Sequence, residues 1–353
     1  MVTVVIIAAL IALAFNFMNG MNDAANAIAT VVATKALTPK RAVWWAGFWI
    51  FISCLTFFFI EPGVAQTMGK GIVQENCIDH YVILAALLGS VLWIYTCTMM
   101  GLPISASHAL IGGLIGPVWF GYGFEHLILS GIGQILLFIV LSPLIGMVLG
   151  FFMRCFFMWL FKVTGAHPAP TDKALRRAQL FSSALFSFSF GLNDGQKTMG
   201  VIAILLCTAL AQAPDNGLLQ ILYNVNEGQF VPYWLMIISY LLISMGTIIG
   251  GWKVIRTLGS GLAKVTPLTG FCSEIGGSAT LIITAILGIP VSTTHTVTGA
   301  IVGTGLTQGV KSVKWMTAKN IVWAWIITIP AVIIVSGLIY KVMLLCGAPL
   351  KAI

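Results

Sequence analysis

Apolar segments separated by short polar stretches run along this whole 353-residue chain. The period-2 alternation of strands is absent, so the pattern predicts helices. Several segments are shorter than the ~20 residues that a bilayer-spanning helix needs. We therefore interpret neighbouring short segments, 2–18 with 24–34 and 178–192 with 195–211, as helices broken within the membrane. The apolar segments lie at 2–18, 24–34, 42–60, 81–100, 103–120, 127–153, 178–192, 195–211, 232–252, 271–288, 290–306 and 320–345.

The composition identifies the class of protein. Hydrophobic residues make up 59% of the chain and charged residues only 8%, which predicts an all-α polytopic membrane protein in contact with the lipid bilayer. The 37 glycines and 13 prolines suit close helix packing and broken helices. The net charge of +8 does not indicate a nucleic-acid partner, because the basic residues lie in short loops. The seven cysteines lack metal-ligand spacing, and no cofactor is expected.

Loop charges predict the orientation of the chain. Basic residues cluster at 35–41, 154–177, 253–264 and 311–319, whereas most acids lie in other loops, at 61–79, 125 and 215–227. Because basic loops stay in the cytoplasm, residues 1–34 run inwards and 178–211 run outwards. The two halves are then similar in order and opposite in orientation, which is typical of transporters with inverted-topology repeats.

The domain boundaries follow from this assignment. We expect a first transmembrane repeat at 1–163, a cytoplasmic linker at 164–177 and an inverted second repeat at 178–353. Prolines and charges mark the linker as a loop. The protein is predicted to be a multi-pass cell-membrane protein with both termini extracytoplasmic.

A short polar motif occurs once in each half. Gly20-Met-Asn22-Asp23 recurs as Gly191-Leu-Asn193-Asp194, each inside an apolar run. A carboxylate within a membrane segment is costly and is a functional hypothesis by default. Both aspartates could instead be helix caps, and both asparagines could be turn residues.

Lys197 lies three residues after Asp194 and on the same helix face. The counterpart position in the first half is Asn26. Intramembrane charges usually pair, so Lys197 either neutralises Asp194 or reaches the substrate. Glu274, within the apolar segment 271–288, is a further embedded carboxylate with a predicted functional role.

A second signature also repeats. Gly101-Leu-Pro-Ile-Ser-Ala-Ser-His108 returns as Gly288-Ile-Pro-Val-Ser-Thr-Thr-His295, with two further glycines in register in each half. Proline interrupts a helix, so a new helix should start after each proline, with hydroxyl side chains in its first turn. Two such helix starts facing each other would hold a tetrahedral oxyanion. The candidate oxyanion ligands are Ser105, Ser107, Ser292, Thr293, Thr294, Asn22, Asn193 and Lys197.

The aspartates would repel a bound anion unless a cation lay between them. Carboxylate, amide, hydroxyl and freed backbone oxygens suit Na⁺, and half-helix ends supply such carbonyls in repeat-built transporters. The candidate Na⁺ ligands are Asp23, Asp194, Asn26 and Glu274. Coupling to H⁺ would instead require carboxylates or His108 and His295 to titrate; these two histidines could also be purely structural.

The paired Gly-x-Asn-Asp and Gly-[Leu/Ile]-Pro-x-Ser-x-x-His motifs resemble those of the inorganic phosphate transporter (PiT) family, over essentially the whole chain. The resemblance implies secondary active phosphate uptake coupled to Na⁺ or H⁺, through two repeats with re-entrant hairpins, and the short linker resembles that of prokaryotic members. A homodimer is a compatible assembly. Carriers of sulfate or another tetrahedral oxyanion and a passive anion channel are the alternatives. An enzyme is not expected, because no nucleophile lies with a base or metal cluster.

The loop charges make the orientation testable. In a background with the native cysteines replaced, cysteines at Ala174 and Lys311 should react with a membrane-impermeant maleimide only from the cytoplasmic side. A cysteine at Asp215 should react only from outside. Labelling of the first two from outside would contradict the inverted repeat.

Overall fold

The computed structural model describes residues 1–165, 173–226 and 229–349, and in these ranges the regular secondary structure is helical. This confirms the predicted all-α fold. The α-helices are α1 Val2–Ala33, α2 Pro39–Ile52, α3 Gly63–Lys70, α4 His80–Met100, α5 Ala106–Gly121, α6 Leu129–Thr164, α7 Lys173–Gln212, α8 Gly217–Leu222, α9 Tyr233–Ile249, α10 Trp252–Gly261, α11 Pro267–Ile286, α12 Thr293–Leu306 and α13 Trp315–Leu345.

Six helices of the described chain are long and apolar enough to cross a bilayer: α1, α2 with its 3₁₀ continuation Ser53–Phe58, α4, α6, α11 and α13. Helices α9 and α10 form a bent pair with an angle of 74° between them. The predicted multi-pass architecture is therefore confirmed.

The predicted breaks at the Asn-Asp motifs are wrong. Helices α1 and α7 run without interruption through Asp23 and Asp194. Neither motif contains proline, and its glycines serve close packing instead. A Cβ atom on Gly20 would lie 2.1 Å from the carbonyl oxygen of Ile243, and one on Gly191 would lie 2.1 Å from Ser53 Oγ.

The chain breaks at the prolines of the second motif, as predicted. Gly101 and Gly288 take positive φ values of 75° and 67° at the hairpin tips, where glycine is favoured. An isolated β-bridge joins Val73, which precedes α4, to Leu127, which follows α5, and so brings the start of α4 close to the end of α5. The bridge between Ala263 and Val313 does the same for α11 and α12. Each hairpin therefore begins and ends at the same side, as the predicted re-entrant hairpins require.

Apart from the additional α8, the α-helices follow the same order in the two halves, and the halves interlock. Helix α6 packs against α11 and α12, whereas α13 packs against α4 and α5. The repeated glycines allow this approach: a Cβ atom on Gly303 would lie 2.0 Å from the Met147 carbonyl oxygen, and one on Gly116 would lie 2.4 Å from that of Ile333. The repeats at 1–163 and 178–353 are thus not separately packed units.

Three segments expected to be loops contain short helices, α3, α8 and α10. Two of them cover the hairpin tips. Thr67 of α3 donates to the carbonyl oxygen of Gly288 at 2.8 Å, and Thr257 of α10 donates to that of Gly101 at 2.9 Å. Apolar residues of α10, including Val254, Ile255 and Leu258, are buried, which explains why this charged stretch is helical.

The predicted linker and one acidic loop fall partly outside the described residues. Residues 166–172 and 227–228 belong to these parts. The end of the predicted linker, from Lys173 onwards, is already the first turn of α7. The opposite orientation of the two halves in the membrane remains a prediction.

Candidate functional site

The two motif aspartates meet at the centre of the bundle. Asp23 on α1 is 2% exposed and Asp194 on α7 is 1% exposed. The hydroxyl of Thr293, in the first turn of α12, lies 3.3 Å from Asp23 Oδ2 and 3.3 Å from Asp194 Oδ2. Two repeated motifs 171 residues apart thus place their carboxylates around one hydroxyl.

Lys197 neutralises the second of these carboxylates. Its Nζ lies 2.5 Å from Asp194 Oδ1, 2.6 Å from Ser107 Oγ and 2.7 Å from the carbonyl oxygen of Val291. An ammonium group has three hydrogens, so these three acceptors satisfy it. Lys197 also ties α7 to both hairpins, since Ser107 and Val291 belong to different halves.

Asp23 forms no ion pair within the described part of the chain. Apart from the carboxylate of Asp194, its side-chain neighbours are neutral oxygen and nitrogen groups. Thr294 Oγ1 lies 3.0 Å from Asp23 Oδ1. With its amide oriented to satisfy its neighbours, Asn22 donates to the same Oδ1 at 3.2 Å and accepts from Thr98 Oγ1 at 2.8 Å. Asn26 donates to Thr294 Oγ1 at 3.0 Å.

Two hydroxyls of the cluster, those of Thr293 and Thr294, each face more than one acceptor oxygen. The single hydroxyl hydrogen of Thr293 faces two carboxylates. That of Thr294 faces Asp23 Oδ1 and the carbonyl oxygen of Ile104, 3.1 Å away. The cluster contains two carboxylates and one ammonium group, so its net charge also favours binding of a cation. The freed carbonyls come from the hairpin tips, at Ile104 and Val291, and not from breaks in α1 and α7.

Several buried amides around the aspartates are unpartnered. Both side-chain polar atoms of Asn193 and Asn19, and Oδ1 of Asn26, have no hydrogen-bond partner among the described residues. Native interiors rarely leave such groups unpaired, so they fit a polar ligand. The sequence analysis did not select Asn19; its position four residues before Asp23, on the same helix face, was the available signal.

The hairpin serines have a local role. Ser105 and Ser292 cap α5 and α12, and each accepts a backbone N–H, from His108 and His295 respectively, at 3.3 Å. The hydroxyl of Ser107 lies 3.4 Å from the carbonyl oxygen of Val291 in the other hairpin. The two helix N-termini therefore come together beside Lys197, where their dipoles and hydroxyls favour an anion.

The two motif histidines contact each other behind the hairpin tips. The ring centroids of His108 and His295 are 4.6 Å apart in an edge-to-face arrangement. His295 stacks on Trp325 at 3.6 Å, and its Nδ1 lies 3.2 Å from the carbonyl oxygen of Ile139. These contacts join α5, α6, α12 and α13, so the histidines make the packing contacts expected of the structural alternative.

Glu274 does not lie in the aspartate cluster. The hydroxyls of Thr30 and Ser182 donate to its carboxylate, and Gln179 Nε2 lies 3.5 Å from it. Thr30 lies seven residues beyond Asp23, about 10 Å along α1. The predicted Na⁺ ligands therefore divide into two buried oxygen clusters, one of them built by residues that the motifs did not mark.

The chain is similar to known proteins over most of its length. Residues 19–336 match the model of the phosphate transporter family. The chain is 43% identical to a protein of Rhizobium meliloti (strain 1021) named "Probable low-affinity inorganic phosphate transporter", over 94% of this chain and 93% of the relative. A protein of the same name from Bacillus subtilis (strain 168) is 37% identical over 94% and 95%. A solved structure named "The sodium-dependent phosphate transporter" matches with a TM-score of 0.81 and 26% identity, over 97% of this chain and 99% of that one.

The Lys197–Asp194 pair generates a stability prediction. Lys197→Met leaves Asp194 buried without its counter-charge, which should destabilise the protein by about 3–5 kcal/mol. The double variant Asp194→Asn/Lys197→Met removes both charges and should recover most of that loss. Thermal unfolding in detergent, followed with a thiol-reactive dye on the buried cysteines, measures both. An equal loss of stability in the single and double variants would mean that Lys197 contributes to packing only.

Proposed function

Since the chain belongs to the phosphate transporter family, and is an inorganic phosphate transporter rather than an enzyme, we propose that it imports phosphate by symport with Na⁺. One observation carries the proposal. Asp23 lies beside a second carboxylate in a buried cluster, and the two carboxylates share the hydrogen of a single hydroxyl. A cation would satisfy those oxygens and reduce the repulsion of an incoming anion.

The cation site that we propose centres on Asp23. Carboxylate oxygens, the hydroxyls of Thr293 and Thr294 and the carbonyl of Ile104 are hard oxygen ligands of the kind that bind Na⁺ at hairpin and half-helix ends. The unpartnered Oδ1 of Asn26 is a further candidate. Asp194 contributes its second oxygen, because its first is occupied by Lys197.

Phosphate would bind next to this cation, at the converging N-termini of α5 and α12. Ser107, Thr293 and the free first-turn N–H groups would donate to its oxygens. The unpartnered Nδ2 of Asn193 is an additional donor within the buried site. Lys197 would act through its charge, since its three hydrogens are already bound.

Membrane energetics favours more than one cation. Inward movement of an anion against a negative-inside potential costs about 2.3 kcal/mol per charge per 100 mV. Two co-transported cations would make entry of divalent phosphate electroneutral. The Glu274 cluster, with Thr30, Ser182 and Gln179, is the second candidate cation site.

Access to the site would alternate through the two short helices. Helix α3 is fixed to α7 because Gln196 Oε1 accepts the backbone N–H groups of Val64 and Ala65 at 2.9 and 3.3 Å. Gln196 lies between Asp194 and Lys197 in the sequence, so movement of α3 would shift these two residues of the site. Helix α10 covers the other hairpin tip through Thr257. We infer that α3 and α10 close the site towards opposite faces of the membrane.

Proton coupling remains the alternative, because a proton on Asp23 would also remove the repulsion between the two carboxylates. The similar solved structure is that of a transporter named as sodium-dependent, which favours Na⁺. Sulfate is the competing anion. Its competition with labelled phosphate in uptake assays distinguishes the two substrates.

Uptake by proteoliposomes with separately imposed gradients tests the proposal. An inward Na⁺ gradient should drive phosphate uptake, and an imposed proton gradient alone should not. Asp23→Asn should weaken the Na⁺-driven signal about 10- to 100-fold, since a charged hydrogen-bond partner contributes about 1.5–3 kcal/mol. The matched control is Asp79→Asn, because Asp79 caps α4 and asparagine also caps well. Uptake that follows protons and ignores Na⁺ would overturn the Na⁺ assignment.

The Glu274 cluster gives a separate prediction. Glu274→Gln keeps the side-chain shape but removes the charge, so half-maximal uptake should require more Na⁺ while phosphate still binds at high Na⁺. Ser273→Ala on the same helix is the control, because the Ser273 hydroxyl donates to the Gly270 carbonyl within α11. An unchanged Na⁺ dependence of Glu274→Gln would exclude a cation role for this carboxylate.

A further inference from the structure

A groove on the outer face of α2 combines basic residues with exposed aromatic rings. It has a volume of about 580 Å³ and is lined by Leu37, Lys40, Arg41, Trp44, Trp45 and Phe48. Trp44 is 65% exposed and Phe48 is 53% exposed, so both rings present their surface to the surrounding membrane. The groove lies outside the transport site and uses none of its residues.

We propose that this groove binds one anionic phospholipid, with the phosphate headgroup at Lys40 and Arg41 and an acyl chain along Trp44 and Phe48. The charges favour this occupant. Lys35, Lys40 and Arg41 are the only charged residues between Asp23 and Glu61. Arg176 of α7 lies beside them, because its Nη1 donates to the carbonyl oxygen of Lys35 at 3.3 Å. Basic pockets between helices at the cytoplasmic side are suited to acidic headgroups.

Within the described part of the chain, neither Lys40 nor Arg41 forms an ion pair. Lys40 and Arg41 lie in the first turn of α2, which contains no acidic residue. Positive charges at a helix N-terminus are unfavourable, because the helix dipole is positive there. An external anion at this point would interact favourably with both the side chains and the dipole.

The dimensions suit a lipid chain. From Lys40 to Phe48 the helix rises about 12 Å, within the ~15 Å of hydrocarbon in one leaflet. Trp45 forms a fixed wall of the groove, since its Nε1 donates to Ser183 Oγ of α7 at 3.2 Å. The predicted cytoplasmic position of residues 35–41 places the headgroup end at the membrane surface.

Native mass spectrometry of the delipidated full-length protein tests the proposal. The probes are phosphatidylglycerol and phosphatidylcholine with identical acyl chains. Wild type should retain phosphatidylglycerol preferentially, and Lys40→Ala/Arg41→Ala should weaken its binding about 30-fold, the factor that two basic residues give at about 1 kcal/mol each. Inorganic phosphate added in excess should not displace the lipid.

Two further variants test whether the loss of lipid binding is specific to the groove. Lys311→Ala/Lys319→Ala removes the same charge from exposed positions elsewhere and should leave binding within about twofold of wild type. Trp44→Ala should weaken the binding of both lipids and keep the preference for the anionic one. Equal losses in the two double-charge variants, or no preference between lipids, would overturn the proposal. A change of oligomeric state in Lys40→Ala/Arg41→Ala, measured by size exclusion with light scattering, would identify the groove as an interface between copies and also overturn it.

Discussion

The rest of the structure depends on two carboxylates that face one hydroxyl hydrogen inside a membrane protein. Two carboxylates that each lie 3.3 Å from the same hydroxyl oxygen repel each other when both are ionised. Lys197 offsets one of them, and hydroxyl, amide and carbonyl groups surround the other. The long helices α1 and α7 carry the aspartates, and the hairpin tips bring the oxygen ligands to them. Interlocking of α6 and α13 with the opposite hairpins holds these tips together.

In the proposed site, binding of the cation and binding of phosphate would be linked thermodynamically. A site with two carboxylates and one ammonium repels phosphate until a cation binds, so each ligand should favour the other. Such coupling is reciprocal, and the factor by which Na⁺ tightens phosphate binding must equal the factor by which phosphate tightens Na⁺ binding. Symport then follows if α3 and α10 open only when the charge in the site is balanced.

The sequence was sufficient for the helical membrane fold, the hairpins and the pairing of Asp23 with Asp194, because an embedded charge and a proline have strong local consequences. It was misleading at the two Asn-Asp motifs, where polar residues divide each apolar run into segments that are too short to cross a bilayer alone. The helices continue through both motifs, and Gly20 and Gly191 allow close contact with helices that are distant in sequence. Spacing along one helix also could not separate Glu274 from the aspartates, since its partners Thr30, Ser182 and Gln179 come from two other helices. The acceptors at Ile104 and Val291 are backbone carbonyls of apolar residues, so the side chains gave no indication that these positions lie in the site.

Equilibrium phosphate binding at varied Na⁺ tests the central claim most directly. Purified protein is titrated with labelled phosphate at constant ionic strength, with Na⁺ replaced stepwise by K⁺ or choline. We expect the affinity for phosphate to rise with Na⁺ and much less with K⁺, and Na⁺ affinity to rise by the same factor when phosphate is present. Phosphate affinity that is independent of Na⁺ would contradict a cation site at Asp23.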